Sequence, residues 1–128
     1  LYRCAVGMAG MYDFETQRKR SDTAELDMAD DFFKRVFGED EQTAIDFSPV
    51  YHTNKIQVPI FIAHGGKDER TPIQHARKLR KGLQDNNVQF EWMEKKNEGH
   101  GFFVEQNRID FYSALLDFLG KHTSKKDG

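Results

Sequence analysis

A chain of 128 residues with 19 Lys and Arg against 21 Asp and Glu, a formal charge of −2, has the size of one domain and offers neither a basic footprint for nucleic acid nor a polybasic face for a membrane. Its one cysteine, Cys4, excludes an intrachain disulfide, and in the apolar run Cys4-Ala5-Val6 it is expected to be a small buried residue. No run of about 18 apolar residues and no signal-peptide pattern occurs, so no spanning helix is expected, and the compartment stays open in a chain that begins with Leu1.

Residues 3–7, RCAVG, read as a short strand, and the MAGMYDF that follows carries the Gly and Asp of a turn. Ser21, Asp22 and Thr23 offer caps for a helix over 24–37, in which Leu26, Ala29, Phe33, Val36 and Phe37 recur at helical spacing before Gly38. Residues 39–54 show no sustained period and contain Ser48-Pro49, which predicts a loop. The stretch 58–68, VPIFIAHGGKD, is the centre of the chain. Five of its first six residues are apolar, as suits a strand covered on both faces in a parallel sheet, and it runs into a glycine-rich turn ending at Asp68. Thr71-Pro72-Ile73-Gln74 fits a capping box for a helix that turns Ile73, Ala76, Leu79 and Leu83 to the sheet and ends at Asp85-Asn86-Asn87. Residues 88–93 alternate, with Val88, Phe90 and Trp92 on the drier side, a strand near an edge. After a loop over 94–101, a last helix spans 105–119 with Ile109, Tyr112, Leu115, Leu116 and Leu119 as its core stripe, Gly120 at its C′ position and a polar, frayed tail over 121–128.

This order predicts one α/β domain in three layers: right-handed crossovers and a parallel sheet of at least three strands with flanking helices. Asp68 and His100 then belong together. Each follows a strand, so both side chains emerge at the carboxyl ends of adjacent parallel strands, where open α/β sheets gather reacting groups. A carboxylate against the ring's Nδ1–H fixes its tautomer and stabilises the imidazolium formed when Nε2 removes a proton from a nucleophile. An Asp before a helix is ordinarily its cap, but Thr71 is placed for that role. A lone loop histidine is ordinarily a solvated one, and the order strand, Asp, helix, strand, His, helix is what argues for the pair. His52, His64, His75 and His122 have no metal-ligand spacing, so neither metal nor cofactor is expected, and His64 reads as a hydrogen-bonded support near the acid.

The strings VPIFIAHGGKDERTP and EGHGFF, with FSPVYHTNKIQVP and YRCAVGMAGMYDF before them, resemble the α/β-hydrolases and most closely their prolyl oligopeptidase branch, which includes dipeptidyl and acylaminoacyl peptidases. The resemblance implies the carboxyl-terminal part of an α/β-hydrolase fold and a Ser–Asp–His triad in that chain order, with Asp68 as orienting acid and His100 as general base, cleaving peptides or acyl-peptides through an acyl-enzyme. It also implies that Met11, Tyr12 and Phe14 belong to the pocket for the residue before the scissile bond and that Arg70 contacts substrate. No G-x-S-x-G string occurs, and none of Ser21, Ser48, Ser113 and Ser124 follows a strand inside a glycine frame. The expectation is therefore that the nucleophile lies in a missing N-terminal part of the same protein, that these residues alone are inactive, and that the first strand leaves an open edge through which a homodimer forms. An esterase or dienelactone-type hydrolase is the alternative within the fold. A non-catalytic flavodoxin-like or receiver-like module is the alternative outside it, although a receiver wants an acidic pair after its first strand and RCAVGMAG has none.

Overall fold

The computed structural model describes residues 2–38 and 40–124. Its frame is a parallel sheet of β1 (Ala5–Met8), β2 (Ile60–Gly65) and β3 (Phe90–Lys95), in that spatial order, so the strand expected at the centre lies there. Val6 pairs with Phe61 and Ile62 with Trp92, a register that ends all three strands on one side of the molecule.

Alternation along β2 divides the core between two layers. Ile60 and Ile62 point to one face and pack with Ile73, Ala76, Leu79 and Leu83 of the α4 region, where α4 is Gln74–Asp85. Phe61 and Ala63 point to the other and meet Phe102, Phe111 and Phe118, the last two on α5 (Glu105–Thr123). Phe61 lies 6.0 Å from the Phe111 ring and 5.8 Å from Phe118, so stacked and tilted aromatic contacts reinforce burial on that side. Cys4 is half-buried against this second cluster.

Several sequence expectations change. The segment after β1 is helical: α1 (Phe14–Arg20) starts at Asp13, which accepts the Glu15 N–H at 3.2 Å, and closes on Arg18, Lys19 and Arg20 beside the negative helix end. The helix expected over 24–37 is α2 (Asp27–Phe37); Leu26 and Val36 are exposed because α2 packs on α1, Phe37 lying tilted against Phe14 and stacked on Phe33. Within the expected loop 39–54, Asp40 caps α3 (Glu41–Asp46) by accepting the Thr43 N–H at 2.8 Å, and two short 3-10 turns follow. Val88 precedes β3, its N–H donating to the carbonyl of Leu83.

The stripe read for α5 is rotated. Phe111 and Phe118 are buried with Ala114, Leu115 and Leu119 beside them, while Ile109, Tyr112 and Leu116 face outward, because the cleft over Phe61 accepts the two rings seven residues apart. The helix also runs through Gly120 to Thr123, so Gly120 is not its terminator; the part of the expected tail over 125–128 lies outside the described residues.

Candidate active site

Two loops at the carboxyl ends of β2 and β3 build the site, and glycine lets them touch. A Cβ on Gly65 would lie 2.1 Å from the Gly99 carbonyl oxygen and 2.5 Å from that of Glu98, so only a glycine there lets the loop after β3 fold over the end of β2. The Lys67 N–H seals the contact by donating to the Glu98 carbonyl at 2.8 Å. Gly101, at φ +137°, completes the tight turn that carries His100.

Asp68 and His100 meet across this contact. Asp68 Oδ2 lies 3.0 Å from His100 Nδ1; the carboxylate is enclosed, whereas half of the imidazole is open to solvent. An ionised carboxylate can only accept, so the bond assigns the proton to Nδ1 and leaves the lone pair on Nε2, which has no partner among the described residues. That is the protonation a general base would need.

Asp68 is held by its own loop. Its Oδ1 accepts the Thr71 N–H at 2.8 Å, and its Oδ2 lies 3.1 Å from the Thr71 hydroxyl and 3.4 Å from His64 Nε2. The capping-box reading of Thr71 is thereby overturned. Asp68 serves as the local cap as well as the partner of His100, Thr71 directs its hydroxyl to Ala9 O, Asp68 and His100 at 3.0, 3.1 and 3.2 Å, and α4 starts at Gln74 with no side-chain cap. His64 is fully buried and gives its Nε2–H to the Thr71 carbonyl at 2.7 Å, the support expected of it.

Sequence reasoning missed how the histidine loop is fixed. Buried Glu98 accepts the N–H groups of Phe103 and Val104, each at 2.9 Å, and the Asn107 amide at 2.7 Å, which ties the turn around His100 to the start of α5. The Asn107 amide and the Phe103 N–H hold its carboxyl below the usual carboxylate range against the effect of burial. The signal was present as a Glu before the Gly-His-Gly turn, seven residues ahead of the helix start.

The remaining site residues are dispersed. Met11 is exposed; Tyr12 is half-buried, and its hydroxyl is tucked where a Cβ on Gly7 would lie, without a hydrogen-bond partner among the described residues, so burial pushes its pKa up to about 12. Phe14 turns instead toward Phe37 and lines a cavity of about 280 Å³ between α1, α2 and α3. The Arg70 guanidinium pairs with Asp22 at 2.8 Å and not with Asp68 or His100, while its carbonyl accepts the Gln17 amide. Among the described residues no serine bonds His100: Ser48 accepts the Phe14 N–H and donates to Ala44 O, and Ser21 pairs with Thr23. Among the described residues no three His, Cys, Asp or Glu side chains gather as a metal site would require, and no helix is long and apolar enough to cross a membrane.

The sequence pattern of the prolyl oligopeptidase family matches residues 1–126. The chain belongs to the prolyl oligopeptidase family. Its parallel sheet and flanking helices are the corresponding part of the α/β-hydrolase fold. No curated protein matches the chain. Among solved structures it is similar to an acylaminoacyl peptidase in complex with Z-Gly-Gly-Phe-chloromethyl ketone, at a TM-score of 0.86 and 19% identity over 100% of this chain and 21% of that one. A Mycobacterium tuberculosis puromycin-hydrolyzing peptidase gives 0.85 and 18% over 94% of this chain and 18% of that one. Pyrococcus horikoshii acylaminoacyl peptidase gives 0.84 and 19% over 99% and 21%. At these identities the structures speak to fold alone, and this prolyl oligopeptidase family chain spans about a fifth of their length, 21% and 18% in the first two.

Proposed function

We propose that residues 1–128 are one domain portion, the carboxyl-terminal part of a serine peptidase that cleaves peptides or acyl-peptides through an acyl-enzyme, with Asp68 as orienting acid and His100 as general base. The observation that carries this reading is the 3.0 Å contact between Asp68 Oδ2 and His100 Nδ1, enclosed at the carboxylate and open at the ring. A serine hydroxyl brought to Nε2 loses its proton to His100 as it attacks the scissile carbonyl. Asp68 stabilises the imidazolium, and the same proton then passes to the leaving amine. The nucleophile and its oxyanion-hole amides come from an N-terminal part of the same protein, so these residues alone are inactive. The family membership supports a peptidase, and two of the structures similar to this chain are acylaminoacyl peptidases. On family membership alone, and not on a contact with the Asp68–His100 pair, we assign Met11, Tyr12 and Phe14 to the pocket for the residue before the scissile bond and Arg70, whose guanidinium is held by Asp22, to substrate contact.

In the complete enzyme Asp68→Asn should lower kcat by about four orders of magnitude, as the same change does in the chymotrypsin-type triad, while protein folding and substrate binding persist. Turnover within a few fold of the parent would refute the assignment. A fluorophosphonate probe should label the complete enzyme at serine and leave the 128-residue chain unlabelled.

A further inference from the structure

His75 lies in the first turn of α4 and is wholly enclosed. Its Nδ1 accepts the backbone N–H groups of Tyr12 at 3.3 Å and Asp13 at 3.2 Å, and its Nε2–H donates to Gln17 Oε1 at 3.0 Å. Gln17 then donates through Nε2 to the Arg70 carbonyl at 2.8 Å. The circuit runs from α4 through the residues after β1 and α1 back to the loop that carries Asp68. Two N–H groups aimed at Nδ1 require a lone pair there, which assigns the neutral Nε2–H tautomer; a proton on Nδ1 would set three donors against one another in an enclosed space.

The charged and titratable groups facing the ring come from each element packed around it: Asp13 before α1, Lys78 on α4, His64 on β2 and Asp68 in the loop beyond. Burial is the main influence and drives the ring's pKa down to about 4; Asp13 and Asp68 oppose it, and His64 and Lys78 add to it. Folding lowers the pKa of a base here, so the stability contributed by the circuit is complete above about 6.5 and is lost as the pH falls toward about 4.

We propose that His75 is a positioning residue for substrate binding: its neutral ring fixes the Tyr12–Asp13 backbone, and with it Met11, Tyr12 and Phe14, against the loop bearing Asp68. This rests on the assignment of residues 11–14 to the substrate pocket. Loss of the ring shifts the pocket wall relative to the Asp68–His100 pair and leaves the pair intact. The effect therefore falls on binding of the side chain before the scissile bond.

Two measurements test it. In the unsubstituted protein, nitrogen NMR of the imidazole should show a neutral Nε2–H ring at pH 5.5; a ring that protonates near the ordinary value of about 6.5 overturns the proposal. In the complete enzyme, His75→Leu should raise KM about tenfold for a peptide with an aromatic residue before the scissile bond and change kcat by less than about twofold, the loss expected from a few buried hydrogen bonds. His75→Gln, which keeps an acceptor and a donor, should hold KM within about twofold of the parent. Equal losses for glycine and aromatic substrates, or kcat falling with KM unchanged, would make His75 a structural residue only. Should His75→Leu fail to fold, the NMR result and the glutamine variant still decide. Retained turnover in Asp68→Asn is a separate outcome that removes the catalytic reading and not the neutral ring.

Discussion

Thr71 presents one hydroxyl to Asp68, His100 and the end of the first strand. It lies 3.1 Å from Asp68 Oδ2, 3.2 Å from His100 Nδ1 and 3.0 Å from Ala9 O. A hydroxyl has one proton to give, so when His100 Nδ1–H points to Asp68 the Thr71 proton goes to the carboxylate or to Ala9 O. In either case it occupies space that water would otherwise take beside an enclosed carboxylate. Thr71→Val keeps the shape and the backbone N–H to Asp68 but removes these bonds. In the complete enzyme it should lower kcat about tenfold, the value of one buried hydrogen bond, with Thr71→Ser close to the parent. Stopped-flow acylation rates would check this; a valine enzyme as fast as the parent would make the hydroxyl's contacts incidental.

Elements were legible in proportion to how far a local pattern settled their environment. β2 was readable because five apolar residues in a short run suit few places other than a sheet centre, and Asp68 and His100 were readable because topology alone puts the ends of neighbouring strands together. α1 carries cap and dipole signals in Asp13, Glu15 and the basic run at 18–20, but its apolar face is too short to show a period, with Thr16 and Gln17 as its buried residues. The pattern of α5 shows a helix but not its buried face. Its apolar residues are spread around the helix, and only the shape of the cleft over Phe61 selects Phe111 and Phe118 over Ile109, Tyr112 and Leu116. Thr71 could not have been assigned from sequence, since Asp68 and Thr71 compete for the same capping role. The rotated stripe makes a prediction at this scale. Phe118→Ala should cost about 3–5 kcal/mol of stability as a fully buried aromatic, whereas Leu116→Ala on the same helix should fall within about 0.5 kcal/mol, both measured by urea unfolding. Equal costs would return the stripe to the one read from the sequence.

The whole molecule has two sheet edges of opposite character. β3 is guarded: Glu91 pairs with Lys121, Glu94 with Arg77 and Lys95 with Asp110, and Arg80 lies 5.1 Å over the Trp92 ring. Charge and a covered face are the means by which edge strands avoid pairing with other chains. β1, Ala-Val-Gly-Met, has no charged residue, and its Val6 and Met8 are exposed at 40% and 37%. β2 covers one side of β1, and among the described residues no strand pairs with the other side, which lies beside apolar side chains. An unguarded edge of this kind recruits a strand. The 128-residue chain should therefore associate through β1, with an apparent mass by light scattering that rises with concentration. Val6→Lys puts a charge on the edge without touching either core cluster and should return the chain to a monomer. A parent chain that stays monomeric across the same range, or a lysine variant that associates as strongly, would show that β1 is not the contact.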